Sequence, residues 1–174
     1  MQPYVDFLAR FLPVPVDHVE VHVFEGGDES VLAFAVKPDK LYFRSLPPQP
    51  HVLVHELIHL CEKPAPLDEE VYAWDLTDLV MLLAEEGVRC NPFSLFALTM
   101  DDVLAVLKRH GIGSISEYYR LVGIVPPCEP ERAPERLAVL QFVIDLATPP
   151  WDALRRGILL ELCAAREERT EKHK

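Results

Sequence analysis

The stretch HVLVHELIHLCE, residues 51–62, lies between two proline clusters, PPQP (47–50) and KPAP (63–66). Pro50 suits the first turn of a helix, where its missing N–H is not needed. Pro64 and Pro66 cannot continue the hydrogen-bond ladder. A helix over 51–62 is therefore predicted, with both ends set by covalent geometry. Val52, Val54, Leu57, Ile58, Leu60 and Cys61 spread uncharged side chains around it, and a helix that is apolar all round belongs in a core. Yet His55, Glu56 and His59 stand in the middle of that run. Burying three polar groups together is costly unless something compensates them.

Residues four apart on an α-helix lie about 40° from one another around the axis, so His55 and His59 share a face and their imidazoles can converge on one ion. Glu56 sits about 100° round from His55, near such an ion without pointing straight at it. That position suits a base acting on water rather than a ligand. By ordinary residue frequencies the H-E-x-x-H spacing arises well under about once per hundred chains of this length. A metal site is thus expected over two histidines satisfied by core hydrogen bonds. His51 shares the face one turn earlier; it is a lesser ligand candidate and reads first as a helix-start residue. Glu62 shares it at the other end; it is a minor ligand candidate and reads first as a solvated helix end.

The surrounding chain reads as α+β. VEVHVFE (19–25) alternates with period two, GGDE supplies a turn and SVLAFAVK (30–37) continues the alternation, which is a hairpin pattern. LYFRS (41–45) adds a third strand after Pro38-Asp39. The expectation is a small antiparallel sheet of about three strands packed on the metal-binding helix, followed by a mostly helical C-terminal half. Residues 3–12 suit a short helix closed by Pro13 and Pro15. Asp68 is placed to cap a helix over 68–86 that ends near Gly87. TMDDVLAVLKRHG (99–111) has a threonine cap and a terminal glycine, and SISEYYRLVG (114–123) repeats that grammar. The link VPPCEPERAPE (125–135) leads to helices over 135–147 and 151–171. One domain over 1–174 is expected at this length, with the sheet and an αα-hairpin in 1–90 and the helical part in 91–174.

HVLVHELIHLCE resembles the signature of the zincin metallopeptidases, which also wants uncharged neighbours around H-E-x-x-H. The metzincin continuation HxxGxxH is absent, since HLCEKPA follows, and no cysteine precedes Cys61 as a peptide deformylase would need. The gluzincin branch takes its third ligand from a glutamate on the next helix. EVYAWDLTDLVML (70–82) is similar to the E-x-x-A-[DN] segment of two gluzincin groups, the membrane CAAX-processing type and the ImmA/IrrE type. Glu70 and Ala73 match, Leu76 stands where an aromatic is usual, and Trp74 replaces the Asp or Asn beside the alanine.

The resemblance covers residues 51–82 and implies Zn2+ held by His55, His59 and Glu70, with Glu56 as catalytic base. An αα-hairpin would bring the last turn of the first helix to the first turn of the second. Helical phase competes with the register. The apolar arc through Ala73, Leu76 and Val80 puts Glu69 nearer its middle, whereas E-x-x-A fits Glu70, and Glu70 is the expectation. The implied activity is peptide-bond hydrolysis, Glu56 taking a proton from water and passing it to the leaving amine. Zincin substrates usually extend an exposed sheet edge, which SVLAFAVK or LYFRS would provide. Tyr72, His110, Tyr118 and Tyr119 are candidates for stabilising the oxyanion. A four-helix di-iron site would need a second E-x-x-H, which the sequence lacks. The competing reading is a non-catalytic or regulatory metal-binding protein with a zincin-like fold, to which the unusual Trp74 lends weight.

Composition bounds the partners. The formal net charge is −11, and Lys and Arg cluster only in the last predicted helix, so a phosphate-binding surface and a nucleic-acid partner are not expected. Cys61, Cys90, Cys128 and Cys163 form no CxxC pair, which argues against a cysteine zinc site. The opening MQPYVDFLARFLP carries no signal-peptide pattern and no apolar run reaches about 18 residues. A soluble, cytoplasmic protein acting on a peptide or protein, without membrane contact, is expected.

Overall fold

The structure of the protein, a computed structural model, describes residues 19–61, 69–88 and 90–172, without the side chains of residues 69, 71, 72 and 167–172. The helix expected over 3–12, the KPAP break, Glu62 and the Asp68 cap lie outside the described residues. The chain divides into two compact units, Met1–Gly87 and Val88–Lys174, at the start of the Pro-containing stretch 88–93.

In the first unit, β1 (Glu20–Val23), β2 (Ala33–Val36) and β3 (Lys40–Phe43) form one sheet in the order β1-β3-β2. The expected β1–β2 hairpin does not form, and the sheet is mixed rather than antiparallel. β2 pairs antiparallel with β3, in the register Val36↔Lys40 to Ala33↔Phe43, while β1 runs parallel to β3 with Val21 opposite Leu41. Loop closure explains the choice. Only residues 37–39 separate β2 from β3, a hairpin-length link, whereas residues 24–32 separate β1 from β2. The longer link is tied down instead. The Asp28 carboxylate accepts from the Ser30 backbone N–H (2.9 Å) and hydroxyl (2.8 Å). The Arg44 guanidinium donates to the carbonyls of Val31 (2.9 Å) and Asp28 (2.6 Å) and lies over the Phe24 ring. β3 takes the centre because it carries the two large inward side chains, Leu41 and Phe43, both buried.

α1 (Pro50–Leu60) starts with Pro50 in its first turn and ends at Cys61, whose backbone N–H bonds the Ile58 carbonyl. From Val52 to Leu60 every side chain but His59 is buried. α2 (Glu69–Glu86) lays Ala73, Leu76, Leu79, Val80 and Leu83 into the same core, and stops where Gly87 turns at φ +67°. α1 packs against α2 on one side and β2 on the other.

The second unit begins with a 3-10 helix, Pro92–Ala97, capped by Asn91, an element the sequence reading missed. α3 (Met100–Arg109) has a full Thr99/Asp102 capping box, and α4 (Ile115–Val122) runs from Ser114 to a left-handed Gly123. α5 (Glu135–Ala147) and α6 (Ala153–Lys172) complete it. Arg155, buried, ties the α5–α6 link together by donating to the carbonyls of Pro150 (2.9 Å), Thr148 (2.9 Å) and Asp145. All four cysteines are free. Among the described residues no helix is long and apolar enough to cross a membrane.

Candidate metal centre

The α1–α2 hairpin brings His55, His59 and Glu70 together. His55 and His59, one turn apart on α1, cross at 81° with their Nε2 atoms 3.0 Å apart. Glu70, in the first turn of α2, reaches both: its Oε1 is 3.2 Å from His59 Nε2 and its Oε2 is 3.3 Å from His55 Nε2. The side chain of Glu69, which helical phase favoured, is outside the described residues. His51 is exposed and stands apart from the trio.

The donor set fits a metal. Ligands held about 2.0–2.1 Å from a tetrahedral ion stand roughly 3.3 Å from each other, close to the 3.0–3.3 Å edges of this triangle. Two imidazoles and one carboxylate are borderline ligands that suit zinc. Their exposure is graded: His55 is 5% exposed, while the Glu70 side chain is 67% exposed. The triangle therefore has a dry floor and an open side.

Glu56 is buried beside the triangle, 6% exposed. Burial pushes its carboxyl up to about 7, the nearby Glu70 carboxylate adds to that, and a hydrogen bond from the Ala35 backbone N–H works the other way. The Ala35 contact follows from sheet register. The Arg44 N–H bonds the Leu32 carbonyl, so Leu32, Phe34 and Val36 face β3 in the alternating antiparallel ladder. The main-chain groups of Ala33 and Ala35 then point to the opposite, free side of β2. Among the described residues that side is a sheet edge. It forms one wall of a cavity of about 850 Å³ that holds His55, Glu56, His59 and Glu70, with Val31, Leu32 and Lys37 on the strand side and Val52 and Trp74 on the helix side.

Trp74 was visible in the sequence only as a departure from E-x-x-A-[DN]. In the structure its indole stacks on the His55 ring, with centroids 4.1 Å apart and planes 30° apart. Of the four candidates for an oxyanion role, His110, Tyr118 and Tyr119 belong to the second unit. Tyr118 is buried in the second unit and donates to Asp145 at 2.8 Å. Tyr119 is buried beside it, and burial pushes both hydroxyls up. His110 pairs with Glu161 at 2.8 Å. The Tyr72 side chain is outside the described residues.

No family model matches the sequence, and no curated protein or solved structure is significantly similar to it.

Proposed function

We propose that the protein is a small zinc-dependent metallopeptidase of the gluzincin kind, with His55, His59 and Glu70 as zinc ligands and Glu56 as general base. The observation that carries this reading is the approach of two imidazole nitrogens and a carboxylate to within 3.0–3.3 Å of one another, beside a second, buried carboxylate. When bound, zinc supplies Lewis acidity, lowering the pKa of water toward about 7 and polarising a carbonyl. Glu56 moves the proton: it takes it from the attacking water and returns it to the departing amine. The Ala35 N–H, on the free side of β2, favours the charged form of the Glu56 carboxyl. The Ala33 N–H and the carbonyls of Ala33 and Ala35 are directed outward to pair with an extended peptide or protein segment and lay it across Glu56. Four free cysteines fit a reducing, cytoplasmic compartment.

A second reading, a non-catalytic or regulatory zinc protein with a zincin-like fold, draws on Trp74 in place of the usual Asp or Asn and on the engagement of Tyr118 and His110, two of the four residues considered for the oxyanion, with Asp145 and Glu161. Zinc analysis together with digestion of casein and a peptide library, by wild type and Glu56→Gln, separates the two. The first reading expects about one zinc per chain in both proteins. It also expects cleavage by wild type that falls about 10²- to 10⁴-fold in the variant. Wild type that keeps zinc and cleaves nothing favours the second reading, and activity that survives Glu56→Gln sinks the mechanism.

A further inference from the structure

The two helices of the metal hairpin face each other through matched stripes. On α1 the stripe is His51, His55 and His59; on α2 it is Glu70, Trp74 and Asp78; each steps by four residues and so stays on one face. Glu70 meets His59 and His55 at one end. Asp78 lies two turns further along the same α2 face, half-buried. Trp74 fills the middle, 4.1 Å from the His55 ring and 6.5 Å from His51. It is 45% exposed, so half of a large aromatic ring lies in water while the other half covers an imidazole. Core packing does not account for an indole in that position.

We propose that Trp74 is a positioning residue of the metal centre, whose indole holds the His55 ring in its ligating orientation and favours the metal-bound state over the free one. The proposal rests on the metal-site reading of His55, His59 and Glu70. The physical reason is differential. An imidazole that shares its nitrogen lone pair with a divalent cation becomes electron-poor, and indole offers the most electron-rich ring face among side chains. The stack is therefore stronger when the site is loaded than when it is empty. By linkage, an interaction stronger in the loaded state raises metal affinity. Stacking also restricts rotation of the ring about its side-chain bonds, the office that a hydrogen-bonded carboxylate commonly performs behind a metal-bound histidine. Loss of such an outer contact typically costs about ten- to a hundredfold in metal affinity. Because Trp74 is half in water, about tenfold is expected here.

The test measures zinc affinity of the full chain by competition with a chromophoric chelator, for wild type, Trp74→Ala and Trp74→Phe. Thermal melts of the zinc-free proteins run alongside. A fluorescence titration in a Trp151→Phe background isolates the emission of Trp74, since the chain has two tryptophans. Expected are about tenfold weaker binding for Trp74→Ala, recovery to within about threefold for Trp74→Phe, unchanged zinc-free melts and a Trp74 emission that changes on adding zinc. Trp74→Ala binding zinc as tightly as wild type overturns the proposal. So does equal weakening in both variants with a matching drop in the zinc-free melt, which marks a packing role. Wild type that takes up no zinc overturns the metal-site reading itself, and this proposal with it.

Discussion

Replacing Glu70 by Gln tests the centre most directly, because it keeps the side chain's shape and removes the charge that both histidines face. Structural zinc sites with four protein ligands bind with about 10–16 kcal/mol, or roughly 2.5–4 kcal/mol per ligand. At about 1.4 kcal/mol per tenfold that is two to three orders of magnitude. Glu70 is 67% exposed, so water replaces it readily, and the lower end, about a hundredfold, is expected. The loss carries into stability. With free zinc at about 100 times the wild-type dissociation constant, binding stabilises wild type by about 2.7 kcal/mol. The variant, with a dissociation constant equal to that concentration, gains only about 0.4 kcal/mol. Urea unfolding with zinc and with a chelator should therefore give a zinc-dependent difference of about 2.3 kcal/mol between the two proteins and none in the chelator. Glu69→Gln is the control and should leave affinity and zinc-dependent stability unchanged. Glu69→Gln weakening zinc as much as Glu70→Gln would refute the assignment of the third ligand.

Ala33→Pro removes an N–H that points away from β3, where proline is tolerated in a sheet; it should cut peptide hydrolysis at least about tenfold while zinc affinity stays put, and unchanged hydrolysis would remove β2 as the substrate edge. Tyr118→Phe leaves Asp145 without the 2.8 Å bond from its hydroxyl and should cost about 1–3 kcal/mol in chemical denaturation without touching zinc affinity. Arg155→Met strips the buried partner from Asp145 and from three carbonyls of the α5–α6 link. A loss of about 3–5 kcal/mol is expected, and a loss below about 1 kcal/mol would contradict the clamp. The Arg109 side chain bonded to Glu161, with His110 beside it, holds the Glu161 carboxyl below the usual range. The stability it adds is present above the ordinary glutamate pKa and is lost as the pH falls through the lowered one. Glu161→Gln should therefore flatten part of the acid side of the stability–pH curve and cost under about 1 kcal/mol at neutral pH.

Local chemistry made much of the molecule readable from its residues alone. Pro50 set the start of α1, Thr99 and Ser114 the starts of α3 and α4, and Gly87 and Gly123 the ends of their helices, because caps and breakers act within one turn. His55 and His59 share a face by helical geometry alone. The α+β class followed from the switch of hydrophobic period between residues 19–45 and the rest. What depended on contacts between elements was less legible. Alternation marked β1, β2 and β3 as strands but carried no information on which would pair, and the short 37–39 link decided for β2–β3 over β1–β2. Glu69 and Glu70 differ by one helical step, and phase and register disagreed about them. Only the packing of α2 on α1 brings the Glu70 carboxylate to the two imidazoles. The link between Glu56 and the Ala35 N–H required strand register, and the Trp74–His55 stack required the facing of two helices. The sequence by itself determined a buried helix with a paired-histidine face. Tertiary structure brought the Glu70 carboxylate, a strand edge and the Trp74 ring to that face, because these are contacts between segments whose approach no local propensity encodes.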